Sequence, residues 1–143
     1  MKRIFSFIMT VMLPIVAATG QQVPDTGYAP LIDNPAYASG KGPLVYIDEG
    51  HHNFHTRGDR YMPFARLLER DGYRTGGYTG TFESKKLKKC RILVISNALN
   101  EANVENWYKP VYPAFSPEEI EVVRQWVHNG GSLFLIADHM PMG

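Results

Sequence analysis

One pattern occurs three times in this sequence and constrains the fold more than any other feature: four apolar residues in a row that stop at a polar cluster. Leu44-Val45-Tyr46-Ile47 stops at Asp48-Glu49-Gly50, Ile92-Leu93-Val94-Ile95 stops at Ser96-Asn97, and Leu133-Phe134-Leu135-Ile136 ends at Asp138-His139. A short apolar run without polar alternation reads as a strand buried on both faces. Such strands need helices packed above and below them, which points to an α/β class.

The segments between the runs agree. A polar loop follows the first, from His51 to Asp59. Tyr61, Phe64, Ala65, Leu67 and Leu68 then recur at helical spacing, with Arg66, Glu69 and Arg70 opposite. This predicts an amphipathic helix that Gly72 stops. Residues 73–78 read as a weak strand, interrupted by Gly76 and Gly77, at or near a sheet edge. Residues 82–89 read as a short helix or turn with a basic face. Residues 97–115 form a connection longer than the roughly 12–15 residues usual for a loop, so they hide a small helix or serve a function. Ser116-Pro117-Glu118-Glu119 carries the start signals of a helix: a cap, a Pro at the first helical position and a capping-box Glu. Ile120, Val123, Trp126 and Val127 give it an apolar face, and Gly130-Gly131 ends it. Strands alternating with helices predict a doubly wound parallel sheet with right-handed crossovers. Open sheets average about five or six strands, and the expectation is a domain shortened at its C-terminus.

The N-terminus is a separate matter. Lys2 and Arg3 precede an apolar run from Ile4 to Val16, and Ala17-Ala18-Thr19-Gly20 follow. This reads as a signal peptide over residues 1–20, cleaved after Ala18 or Gly20. A spanning helix needs about 20 apolar residues, and this run is shorter and interrupted by Pro14. The expected location is periplasmic or secreted, with no stable membrane span after cleavage. Residues 21–42 form a leader, with Tyr28, Leu31, Ile32 and Tyr37 available to pin it to the domain at 43–143. Removing residues 1–20 leaves 13 basic and 14 acidic residues. Nothing basic remains that would argue for a nucleic-acid partner. Cys90 is the single Cys, which excludes an internal disulfide. Lys88, Lys89 and Arg91 beside it would lower its pKa, but an inert thiol at the start of a buried strand is the expectation.

Ligands of open parallel sheets bind beyond the strand C-terminal ends. Asp48, Glu49, His51, His52, Asn53 and His55 follow the first strong strand, Ser96, Asn97 and Asn100 the second, Asp138 and His139 the third. Four of the five histidines lie in two of these loops, and only His128 lies on a helix. Asp48, Glu49, His51, His52, His55, Asn97, Asp138 and His139 are therefore the candidates for ligand binding or acid/base work. The same chemistry admits a divalent metal such as Zn, Mn or Fe, held by Glu49, His51, His55 and His139. His51 and His52 are adjacent and would point apart, so only one of them would serve. No HExxH or similar spacing specifies a metal, and the sequence demands no cofactor. In the plainer reading these side chains cap loops and helix ends, with Asp48 holding backbone amides.

Other constellations say less. Ser96 lacks the Gly-x-Ser-x-Gly elbow. Gly76, Gly77 and Gly80 do not follow the first strand in a dinucleotide fingerprint. Asn97, Asn100, Asn103 and Asn106 recur every three residues beside Trp107, Tyr108 and Tyr112. Amides beside aromatic rings suit a saccharide, but the plainer reading, a polar surface turn packed by its own rings, is the expectation.

From the first strong strand onward, the segments LVYIDEGHHNFHT, FARLLERDGYRT, CRILVISNAL and FSPEEIEVVRQWVHNGGSLFLIADH resemble the class I glutamine-amidotransferase-like superfamily. Within it the chain looks most like a secreted bacterial branch without assigned function, and it is similar to gliding-motility/intraflagellar-transport and ThuA-like domains. The resemblance implies a flavodoxin-like sheet. It does not imply amidotransferase activity, because those enzymes place a Cys at a sharp strand-to-helix turn and Cys90 precedes a strand. Three functions stay open: binding of a small polar ligand such as a saccharide, hydrolysis with or without a metal, and a non-catalytic scaffold.

Overall fold

The computed structural model describes residues 23–142, so the expected signal segment, residues 1–20, lies outside the described residues. The three apolar runs form β1 (Leu44–Asp48), β3 (Ile92–Ser96) and β4 (Ser132–Ile136), and the glycine-interrupted segment forms β2 (Arg74–Tyr78). Between them run α1 (Met62–Arg70), α2 (Ser84–Leu87) and α3 (Pro117–His128), and the long connection hides a 3-10 turn at Glu101–Asn103. The four strands pair in parallel in the order β2-β1-β3-β4. This is a doubly wound, flavodoxin-like arrangement. The chain steps outward one way from β1 to β2 and the other way from β3 to β4. Crossovers of one hand therefore put α1 and α3 on opposite faces. The winding reverses between β1 and β3, where such sheets open a crevice.

Strand alternation sorts the core into two layers. Val45, Ile47 and Val94 pack with Ala65, Phe64 and Leu68 of α1. Leu93 and Ile95 pack with Tyr78, Phe82, Leu87 and Val123 on the other face. Ile47 and Leu93 are fully buried, each worth about 1.5–3 kcal/mol of apolar transfer. The sequence pattern predicts the same burial for β4, and there it fails. Leu133, Phe134 and Leu135 are 37%, 52% and 58% exposed. Among the described residues β4 is one of the sheet's two edges, and no helix covers the Phe134 face.

The glycines of β2 make room for neighbours from β1. The Tyr46 ring lies over Gly76, and the Glu49 carboxylate occupies the place of a side chain on Gly77. Gly50, just past β1, packs directly on the Gly80 backbone: an added methyl would lie 2.5 Å from the Gly80 carbonyl oxygen. Because backbone must move to admit it, Gly50→Ala is expected to cost about 1–3 kcal/mol, read as a lower urea midpoint at unchanged m-value.

The leader crosses α1, held differently from the expectation. Leu31 is 90% exposed and Tyr28 57%, so neither pins it. Arg66 donates to the Thr26 carbonyl, and Arg70 to those of Ala29 and Pro30. Tyr37 does dock, edge-on to Tyr73 with ring centroids 5.0 Å apart. Among the described residues no helix is long and apolar enough to cross a membrane.

Candidate functional site

The loop after β1 folds back on Asp48. This buried carboxylate accepts from the Gly50 amide (3.1 Å), the Asn53 side chain (2.9 Å) and His51 Nδ1 (2.9 Å to Oδ2). Asn53 returns a bond by accepting from the His51 amide at 3.0 Å. The other ring nitrogen of His51, Nε2, lies 2.8 Å from Glu119 Oε1. Glu119 closes the capping box of α3: its Oε2 accepts from the Ser116 amide, and Ser116 Oγ accepts from the Glu119 amide. Its Oε1 also accepts from the Phe82 amide at 2.9 Å. Phe82 and Phe115 pack on the His51 ring, with centroids 4.6 and 4.8 Å away.

His51 is thus an imidazolium clamped between two carboxylates under aromatic cover. Burial pulls its pKa down, but the bonds and charges of Asp48 and then Glu119 more than offset this, leaving it above 6.5. Burial pushes Glu119 up, yet the Ser116 amide, His51 and the Phe82 amide together leave it below 4.5. Both ring nitrogens are engaged, so His51 has no lone pair left for a ligand.

A second arrangement lies on the α1 side of the same rim, where a cavity of about 480 Å³ opens. Its walls include His55 and Arg60 from the loop after β1, Asn97 just past β3, Trp107 from the long connection, and Asp138 and His139 just past β4. Asn97 sits at the sharp turn leaving β3, with φ of 49°, a conformation Asn tolerates better than most residues. Its amide side chain ties the loops together. Oδ1 accepts from the Asp138 amide at 3.4 Å, and Nδ2 lies 3.4 Å from His55 Nδ1. His55 Nδ1 is also 3.3 Å from Ser96 Oγ, which in turn is 3.0 Å from the Tyr61 hydroxyl, and the His55 ring stacks on Tyr61. Burial first, then the Arg60 charge, lowers the His55 pKa, and Asp138 and Asp59 offset only part of this. His55 is therefore neutral near pH 7. His139 is exposed, paired with Asp138 (3.0 Å) and edge-on to Trp107.

The structure divides the residues singled out from the sequence. His55, Asn97, Asp138 and His139 come together at the cavity. Asp48 and His51 are sealed in the clamp. His52 is exposed with φ of 48°, so the adjacent histidines do part. Glu49 turns away over β2, accepting from the Arg57 amide at 2.7 Å. Between β2 and the far side of β4 lie three strand spacings, about 14 Å, so Glu49 and His139 do not share a site. The quartet Glu49, His51, His55 and His139 is split three ways. Among the described residues no three His, Cys, Asp or Glu side chains gather as metal ligands.

Sequence reasoning missed Arg60 and the second role of Glu119. The regular Asn spacing serves the long connection itself. Asn103, buried, donates to the Asn106 and Pro110 carbonyls and accepts from the Tyr112 amide. Asn100 caps the 3-10 turn. Burial pushes the Cys90 thiol up to about 11, so its basic neighbours do not activate it.

No family model matches the chain, and no curated protein or solved structure matches it. The sharp turn at the end of β3 carries Asn97, and Cys90 precedes that strand.

Proposed function

We propose that this is an exported α/β protein that binds a small polar ligand at the strand ends, in the cavity between the loops after β1, β3 and β4. The observation that carries this reading is the position of the cavity. It opens beside the β1/β3 reversal, where this class of sheet takes its ligands. Its volume is within the usual range for small-molecule pockets, about 300–1,000 Å³. Hydrogen-bonding groups from three loops converge there beside the partly exposed Trp107 ring, and the turn at β3 presents the Asn97 amide.

Thermal-shift screening and calorimetry of the mature chain against sugars, amino acids, small carboxylates and nucleosides test it. At least one class is expected to raise the unfolding temperature. Trp107→Ala should weaken that binding about tenfold, the worth of an aromatic contact. A panel in which nothing binds would count against the reading. Export is checked separately, by N-terminal sequencing of the protein from a periplasmic or culture fraction. A start after Ala18 or Gly20 is expected.

One observation favours a second reading, hydrolysis. His55 is a neutral imidazole in the cavity wall, coupled to Asp138, and so is a competent base for a ligand-bound water. Turnover of a bound ligand that His55→Gln abolishes while binding persists would establish it.

A further inference from the structure

The charges in the cavity wall cancel at one end and not at the other. On the side of the loop after β1, Arg60 and Asp59 form an ion pair, with Nη1 3.0 Å from Asp59 Oδ2. Together they add no net charge. His55 adds none either, because its lowered pKa leaves the ring neutral near pH 7. At the end of β4 stands Asp138, its side chain 59% exposed, with Oδ1 3.0 Å from His139 Nδ1. A neutral imidazole meets a carboxylate by donating its N–H, and that hydrogen bond leaves the carboxylate its charge. With His139 in that form the wall carries one uncompensated negative charge, since the rest of the lining is uncharged.

An aromatic ring lies beside that charge. Trp107 is 40% exposed. It meets the His139 ring edge-on, with centroids 5.3 Å apart, so one side chain touches both the carboxylate and the indole. A carboxylate and an indole at one wall suit an organic cation: the carboxylate supplies the counter-charge, and the electron-rich ring face attracts an ammonium group. The same wall makes such a contact internally, where the Arg60 guanidinium lies 3.9 Å from the centre of the Phe54 ring. An anion would be repelled by Asp138 and find the one arginine already paired. A neutral ligand would cover the Asp138 carboxylate without a counter-charge, which costs it hydration.

We infer that the ligand is an organic ammonium ion, held by the Asp138 carboxylate and the face of Trp107. This rests on the cavity being a binding site at all, and the experiment separates the two claims. Calorimetry on the mature chain at pH 8, above the usual imidazole range, would compare ammonium ions with uncharged molecules of the same shape. The pairs are choline with 3,3-dimethyl-1-butanol, and putrescine with 1,4-butanediol. Glucose and inorganic phosphate complete the set. The inference predicts heat with at least one of the two ammonium compounds and binding of its uncharged counterpart about tenfold weaker or less. Asp138→Asn and Trp107→Ala should each weaken the ammonium compound about tenfold, the worth of a charged contact or of a cation on a ring. Circular dichroism of each variant would check that its fold is retained. Equal binding of a charged compound and its uncharged counterpart, or ammonium binding indifferent to Asp138→Asn, would overturn the inference and leave the cavity as a site. So would a preference for glucose or phosphate that Trp107→Ala diminishes. Silence from all of these and from the wider panel would remove both claims.

Discussion

Glu119→Ala is expected to lower the free energy of unfolding by about 3–5 kcal/mol, as breaking one partner of a buried charge pair does. The reason is the number of groups it leaves stranded. Glu119 Oε1 holds His51 Nε2 at 2.8 Å and the Phe82 amide at 2.9 Å, and Oε2 holds the Ser116 amide at 3.0 Å. Removing it leaves a buried imidazolium bonded on one side only, an unpaired Phe82 amide, and α3 without half of its capping box. Glu119→Gln separates charge from shape. An amide oxygen can still accept at one position, so a smaller loss is expected. Urea titrations of both variants at pH 6 with unchanged m-values would measure this. A loss below about 1 kcal/mol for Glu119→Ala, the range of a surface ion pair, would mean that the clamp contributes little.

Stability should also depend on pH in a way that identifies the clamp. The folded-state pKa of His51 is raised above 6.5. Its contribution is therefore complete below 6.5 and is lost as pH rises through the folded value. A neutral ring has one N–H, so one of the two carboxylates then faces a bare nitrogen. The folded-state pKa of Glu119 is lowered below 4.5. Its contribution is complete above 4.5 and is lost as pH falls through the folded value. Between 4.5 and 6.5 neither the His51 nor the Glu119 contribution has begun to be lost, so the clamp's contribution to stability should be greatest there. His51→Gln should flatten the alkaline decline. An unaltered alkaline limb in that variant would assign the decline to other groups.

Much of the fold was legible because it rests on local rules. The runs at Leu44, Ile92 and Leu133 were short and wholly apolar, and they formed strands. Ser116-Pro117-Glu118-Glu119 announced a helix start, and the capping box is there. Gly76 and Gly77 marked β2 as weak, and it lies at an edge. The exposure of β4 was not legible, since an apolar run has the same pattern at an edge as in the middle of a sheet. The site was half legible. Strand-end logic found His55, Asn97, Asp138 and His139, because topology alone delivers them to one rim. It could not tell them from Asp48 and His51, because the face each loop residue turns to depends on the path of the loop. Glu119 escaped because a capping box accounts for one carboxylate oxygen, and nothing local shows where the other points. Arg60 escaped because its stacking on Phe54 and its place in the cavity wall exist only in three dimensions.

The outer side of β4 carries a last consequence. Ser132-Leu133-Phe134-Leu135-Ile136 holds neither a charge nor a proline, the devices by which an open strand edge deters unwanted pairing. Concentrated solutions of this chain should therefore be prone to ordered self-stacking through that segment. A lysine at Phe134 would act as a gatekeeper, lengthening the lag before thioflavin fluorescence rises.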